Sequence, residues 1–272
     1  MRHILFALVT LISFSASAQD VIQTQNSTGS LTEEQKELLY SLAEQYALDA
    51  VDSLIQEGMY MQAIKAIDSL QVNWKKVTGR ELSARTYLRK SQIYMSLEEW
   101  LQLVNTTTDC INSNKDNMSD RQAALFYSMQ GSGYRYLEDY NNAILSYEHA
   151  LGYYTKIGEL GSQGDMLCSI AYSYDKLGKH STASSFYEKG VSKFLQYFNS
   201  SKNYLLQNDL KVEDSYMRSV MGVFGAHLYN MAVYEQNLGD RNSSKEFLLM
   251  SAHCGYSTAK SEYERIYGIL NR

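Results

Sequence analysis

The chain has no proline among its 272 residues. Average usage near 5% would place roughly a dozen. Their absence excludes proline-rich linkers and suits nearly continuous helix joined by short turns. Cysteine is scarce too: Cys110, Cys168 and Cys254 are widely separated and odd in number. That excludes a disulfide framework, and the three read as small buried hydrophobes. Basic residues are too few for nucleic acid. The net charge is −5 and no dense Lys/Arg run occurs, whereas nucleic-acid affinity depends on neutralising phosphates.

Catalytic motifs are also missing. There is no H-E-x-x-H, C-x-x-C or G-x-S-x-G. Gly131-Ser132-Gly133 opens like a dinucleotide fingerprint, but Tyr136 stands where the third glycine belongs. That fingerprint also needs a strand before it. Gly178-Lys179-His180-Ser181 lacks the upstream glycine of a phosphate loop. His149, His180, His227 and His253 have no partner at metal-ligand spacing on one helix face. The carboxylate pairs Glu33–Glu34 and Glu98–Glu99 sit at expected helix N-termini, where negative charge is favourable. The sequence therefore predicts no catalytic residue, no metal and no cofactor.

What is present begins with a targeting signature. Arg2 is followed by the apolar run Ile4–Ile12 and then Ala16-Ser17-Ala18. A charged start, a short apolar centre and an A-x-A end make a signal peptide over 1–18, cleaved after Ala18. As an uncleaved anchor the run is short for a bilayer. No cysteine stands at the cleavage point to carry a lipid. Loss of Arg2 leaves 24 basic against 30 acidic residues. No later segment is apolar enough to cross a membrane, so the reading is extracytoplasmic: the bacterial periplasm, with full secretion as the alternative. Residues 19–29 form a polar flexible leader. Its sequon Asn26-Ser27-Thr28 matters only in a eukaryotic pathway.

From Ser30 the pattern is helical. Ser30-x-x-Glu33, Thr78-x-x-Glu81 and Ser119-x-x-Gln122 have capping-box spacing. A first amphipathic helix runs to Gly58, and a return helix follows over 60–70. A helix opening near Asp165 turns at Gly178. The stretch Ala124–Leu151 shows the unit best. Tyr127, Gly131 and Tyr134 lie on one helix, a turn falls at Glu138–Asp139, and Ala143, Tyr147 and Ala150 lie on the next. The small residues allow close approach, and some of the 23 tyrosines fill the space around them. Ala63, Leu103, Ala143 and Ala183 each follow the last by 40 residues, as do Tyr94, Tyr134 and Tyr174. A fixed period of this kind marks a repeat architecture. A fifth pair around the turn at Gly239–Asp240 is displaced by an insertion near 194–218, which either lengthens two helices or packs as a loop.

The unit Tyr127-x3-Gly131-x2-Tyr134…Tyr140-x2-Ala143-x3-Tyr147-x2-Ala150 resembles a tetratricopeptide repeat, in a variant with a 40-residue period. Ala150–Ala183 is the stretch most similar to it. Ala252-x2-Gly255-x3-Ala259 resembles the junction of Sel1-like repeats. The resemblance implies an all-α, right-handed α-solenoid of five helix pairs over 30–272, closed by a capping helix at 257–271. It implies that first helices line a concave groove. The groove residues would be Leu48 and Asp52, then Leu88, Gln92 and Met95, then Ser128, Ser132 and Arg135. Cys168, Tyr172 and Asp175 would follow, then Tyr229, Val233 and Gln236. The family's carboxylate clamp of Lys and Asn is missing at these positions. The implied function is a non-enzymatic scaffold that binds a protein or peptide in an envelope-associated complex. The alternative is a carbohydrate or small-ligand module, for which Trp74 and Trp100 are the only tryptophans.

Overall fold

The computed structural model describes residues 32–268. The signal segment 1–18, the leader 19–29 and the cap at Ser30 lie outside them. Among the described residues there are twelve helices and no strand. Helices α1 (Glu33–Gln56), α2 (Tyr60–Thr78), α3 (Ala84–Ser96) and α4 (Trp100–Asn114) come first. They are followed by α5 (Asp120–Tyr136), α6 (Tyr140–Lys156), α7 (Leu160–Lys176) and α8 (His180–Tyr197). Then come the single turn α9 (Lys202–Leu205), α10 (Ser215–Leu238), α11 (Arg241–His253) and α12 (Ser257–Tyr267). The chain divides into two compact units between Met118 and Ser119.

In the first unit α1 pairs with α2 and α3 with α4. In the second, α5 pairs with α6, α7 with α8 and α10 with α11, and α12 packs on α11. The period has one physical origin in both units, the turn inside each pair. Gly58, Glu98, Glu138 and Gly178 all carry positive φ and stand 40 residues apart. At Glu138 the amide donates to the Arg135 carbonyl and the next amide, Asp139, to Tyr134. The same two bonds recur at Gly58, Glu98, Gly178 and Gly239. This pair of bonds satisfies the carbonyls that a helix end leaves open. Each turn starts the next helix at a fixed offset. Ala63, Leu103, Ala143 and Ala183 are therefore all completely buried, and the fifth-pair equivalent Ser244 nearly so.

Close approach follows from small residues. A Cβ added at Gly131 would lie 2.7 Å from the Tyr147 ring, and one at Gly164 2.8 Å from Phe194. The second unit's core joins Tyr187, Phe194, Phe224, Leu228 and Met250 across three helices. The first unit's core gathers Val51, Leu54, Ile64, Ile67 and Ile93. All three cysteines are buried and free. Burial pushes the Cys110 and Cys254 thiols up to about 12 and Cys168 well above its ordinary value.

Several helix ends differ from the sequence reading. The first capping box is Thr32 with Gln35, each side chain bonding the other's backbone amide. Thr78 ends α2 instead of opening α3, which Ser83 caps. Lys75, Lys76 and the left-handed Gly79 make the end of α2 a basic, glycine-closed C-terminus, and the helix continues past Leu70 to Thr78. Helix α7 opens at Leu160, just after Gly158, not near Asp165. The capping helix stops at Tyr267, before Gly268. The insertion lengthens one helix, not two, and packs the segment before it into the core. Helix α10 is lengthened to 24 residues. The segment before it packs Leu205 and Leu210 into the core. The Leu210 amide donates to the His253 carbonyl at 2.9 Å, and His253 Nδ1 to the Leu205 carbonyl at 2.6 Å.

Candidate functional site

The groove residues of the second unit sit on the first helix of each pair. Arg135 is near the end of α5 and Tyr172 near the end of α7. The Arg135 guanidinium lies 5.5 Å from the Tyr172 ring centroid and 4.7 Å from that of Tyr136. On the other side Lys176 Nζ is 5.2 Å from Tyr172. A cation over an aromatic face is held by the ring quadrupole. Arg135 makes no hydrogen bond or ion pair with the described residues, and its Nε is buried without a partner. Tyr140, at the start of α6, joins the same cluster. Burial raises its phenol, and nearness to Tyr172 adds to the effect.

Asp175, one turn beyond Tyr172, meets His180 Nδ1 at 3.0 Å. Ser132 lies behind Arg135, accepting from the Tyr147 hydroxyl at 3.3 Å and donating to the Ser128 carbonyl at 3.0 Å. Burial, the largest cause, raises the Tyr147 phenol, and the Arg135 charge opposes that. The structure thus brings Ser132, Arg135, Tyr172 and Asp175 into one neighbourhood. Tyr136, Tyr140 and Lys176 belong to it and were missed, although Lys176 stands four residues after Tyr172 on one helix face.

The other anticipated residues do not join that cluster. Tyr229 turns toward the capping helix, where its hydroxyl donates to Glu262 at 2.8 Å and its ring packs near Tyr256. Gln236 and Val233 are exposed farther along α10. Leu48 and Cys168 are core residues with 4% and 0% exposure, which removes both from any ligand-facing surface. In the first unit Gln92 and Met95 are exposed on α3. Gln92 accepts from Arg89 at 3.2 Å. Arg89 in turn grips Asp52 through two nitrogens, at 2.7 and 3.1 Å. That fork uses up the Asp52 carboxylate.

Among the clefts that lie within single units, one in each is large. In the second, α8, α10 and α11 enclose about 710 Å³ above Tyr187, Val191 and Met231, with Glu188 and Glu235 at its wall. In the first, about 840 Å³ opens beside Tyr40, Trp74 and Arg80. Among the described residues no group of three or more His, Cys, Asp and Glu could hold a metal. No helix among them is long and apolar enough to cross a membrane.

Helices paired through one repeated turn define an α-helical repeat protein. A tetratricopeptide-repeat model matches residues 164–192, within the α7–α8 pair, overlapping the stretch whose spacing looked most similar. The fold is similar to that of BtubC (BKLC) from P. vanneervenii, with TM-score 0.60 and 10% identity over 96% of this chain and 95% of that one. It is similar to the apo form of the quorum sensor NprR from B. thuringiensis, with TM-score 0.56 and 14% identity over 97% of this chain and 69% of that one. It is also similar to MamA, with TM-score 0.52 and 16% identity over 77% of this chain and 96% of that one. No curated protein matches in sequence. The described residues form an all-α fold of paired helices, and the tetratricopeptide-repeat match lies within one of those pairs.

Proposed function

We propose that the chain is a non-enzymatic, extracytoplasmic interaction scaffold whose second unit holds a peptide or protein segment against α5 and α7. The observation that carries this reading is Arg135. The guanidinium lies beside two aromatic rings, and its Nε is buried with no hydrogen-bond partner among the described residues. Leaving a buried donor unsatisfied costs roughly 1–3 kcal/mol. An incoming carboxylate or backbone carbonyl restores that loss, and Tyr172 and Tyr136 offer flat contact area at low entropy cost. A quorum sensor among the solved proteins of similar fold is in keeping with a ligand-receiving role. The location rests on the signal-like segment 1–18, which directs the chain to the periplasm or beyond.

The test is photo-crosslinking from native envelopes, with the crosslinker at exposed Tyr136. Specific adducts form with the wild-type chain and disappear when Arg135→Ala and Tyr172→Ala are combined. Unchanged capture by the double variant removes this face from consideration. A chain found wholly in the cytoplasmic fraction overturns the location.

A further inference from the structure

We propose that the cleft of the first unit binds a short, uncharged oligosaccharide. The cleft lies where α2 runs past its partner and the link to α3 folds back beside α1. Tyr40 and Trp74 meet edge to face there, with ring centroids 5.8 Å apart and both rings half-buried. Arg80 lies over Tyr40, 5.2 Å from its centroid. The volume, about 840 Å³, is within the range of small-molecule sites and has room for a short chain of sugar rings.

Apart from exposed Arg85, which meets only a neutral amide, the charges of the cleft are answered from within. Arg80 pairs with Glu37. Glu81 takes Lys75 at 2.5 Å. Glu44 is buried and accepts from the Ser83 amide at 2.9 Å, the Ser83 hydroxyl at 2.8 Å and the Thr86 hydroxyl at 2.5 Å. That carboxylate occupies the N-terminus of α3, the place an anionic ligand would otherwise take. Arg85 reaches the Gln45 carbonyl at 3.3 Å. An ionic ligand would have to break one of these pairs unless it met Arg85 alone.

Neutral hydrogen-bonding groups remain. Among the described residues the Trp74 indole N–H and the Asn117 amide have no hydrogen-bond partner. Asn114 offers its carbonyl oxygen, while its amide makes a long contact of 3.9 Å to the Cys110 sulfur. A corner of two aromatic rings set edge to face, with uncommitted amide donors and acceptors beside it, suits a ligand that is apolar on its ring faces and hydroxylated at its edges. A pyranose has that character. The site shares no residue with the Arg135 cluster, so the two readings stand independently.

The experiment is a tryptophan-fluorescence titration of the full chain with trimers of glucose in α-1,4 and β-1,3 linkage, of cellulose and of chitin. A trigalacturonate and a neutral tripeptide serve as comparison ligands. At least one neutral trimer gives a saturable change, unaltered in Trp100→Phe, whose residue does not line the cleft. Trp74→Ala and Asn117→Ala each weaken that binding at least tenfold. Asn117 is exposed, so its variant decides the matter if Trp74→Ala fails to fold. No saturable change with any neutral trimer overturns the proposal, as does tighter binding of the acidic trimer or the tripeptide. Equal binding by Asn117→Ala overturns it too.

Discussion

Glu138 and Gly178 occupy the same position in successive repeats, and both are left-handed, with φ of 60° and 72°. Glycine takes this conformation without steric cost, whereas a residue with a Cβ is strained there by roughly 1–2 kcal/mol. Glu98, with φ of 57°, is in the same situation. Glu138→Gly and Glu98→Gly should each stabilise the chain by about 1 kcal/mol, read as a rise in Tm or in the urea midpoint. Gly178→Glu should lower it by a similar amount. Opposite signs at positions one period apart test the shared turn directly. If both glycine variants lower stability, the glutamate side chains support the turn in some other way.

The shared turn also explains what could be read from the sequence. Ala63, Leu103, Ala143 and Ala183 announced the pairs because each follows its turn by the same distance into a closed interface. Helix ends were harder to read. Thr78-x-x-Glu81 has the spacing of a start, but Lys75, Lys76 and Gly79 around it have the chemistry of a stop. Glycine and charge outweighed the capping spacing. Arg135 and Tyr172 were both named in advance. They are 37 residues apart, one helical turn short of the period, which places neighbouring first helices side by side. Tyr40 and Trp74 gave no such signal. Their meeting depends on α2 extending beyond Leu70, where the expected helix ended.

Gly190 on α8 sits against Cys168 on α7 so tightly that an added Cβ would lie 2.4 Å from the sulfur. It would also lie 3.1 Å from the Gly164 carbonyl and 3.2 Å from the Cys168 amide, both backbone. Gly190→Ala should therefore destabilise by about 1–3 kcal/mol despite alanine's better helix propensity. Gly152 is an exposed helical glycine with nothing within 4 Å of an added Cβ. Gly152→Ala should stabilise by roughly 0.5–1 kcal/mol. Cys168→Ala in the Gly190→Ala background should recover part of the loss, because it removes the nearest clash but not the backbone contacts. Chemical denaturation of the wild type, Gly190→Ala, Cys168→Ala and the double variant measures this coupling.

Glu235 lines the cleft of the second unit. Burial, and then Asp240 and Glu188 nearby, raise its carboxyl above the ordinary value of 4.5. A raised carboxyl pKa in the folded state means that the charged form is disfavoured by folding. Its penalty is absent below the ordinary value and grows as pH rises through the folded one. Glu235→Gln should therefore raise Tm at pH 7, with the gain fading as pH falls toward 4.5 and disappearing below it. Thermal melts of both proteins at matched pH measure the difference. A gain that persists at low pH would place the effect in packing and not in charge.

Arg135 carries the sharpest separation between stability and binding. Its Nε is buried without a partner, so the guanidinium contributes stacking on Tyr136 and Tyr172 against an unmet hydrogen bond. Arg135→Met keeps an unbranched stem beside those rings, where sulfur–aromatic contact is favourable, and removes the orphaned donor. Tm should hold or rise, while photo-crosslinked adducts at Tyr136 should fall to background. Arg135→Lys keeps the charge but loses the planar fork and its stacking, so capture should be intermediate with little change in Tm. The opposite pattern, a lower Tm with capture intact, would assign Arg135 to holding α5 against α7. A surface evolved for a ligand keeps a group that the fold alone would discard, and the two readouts on one substitution distinguish these roles.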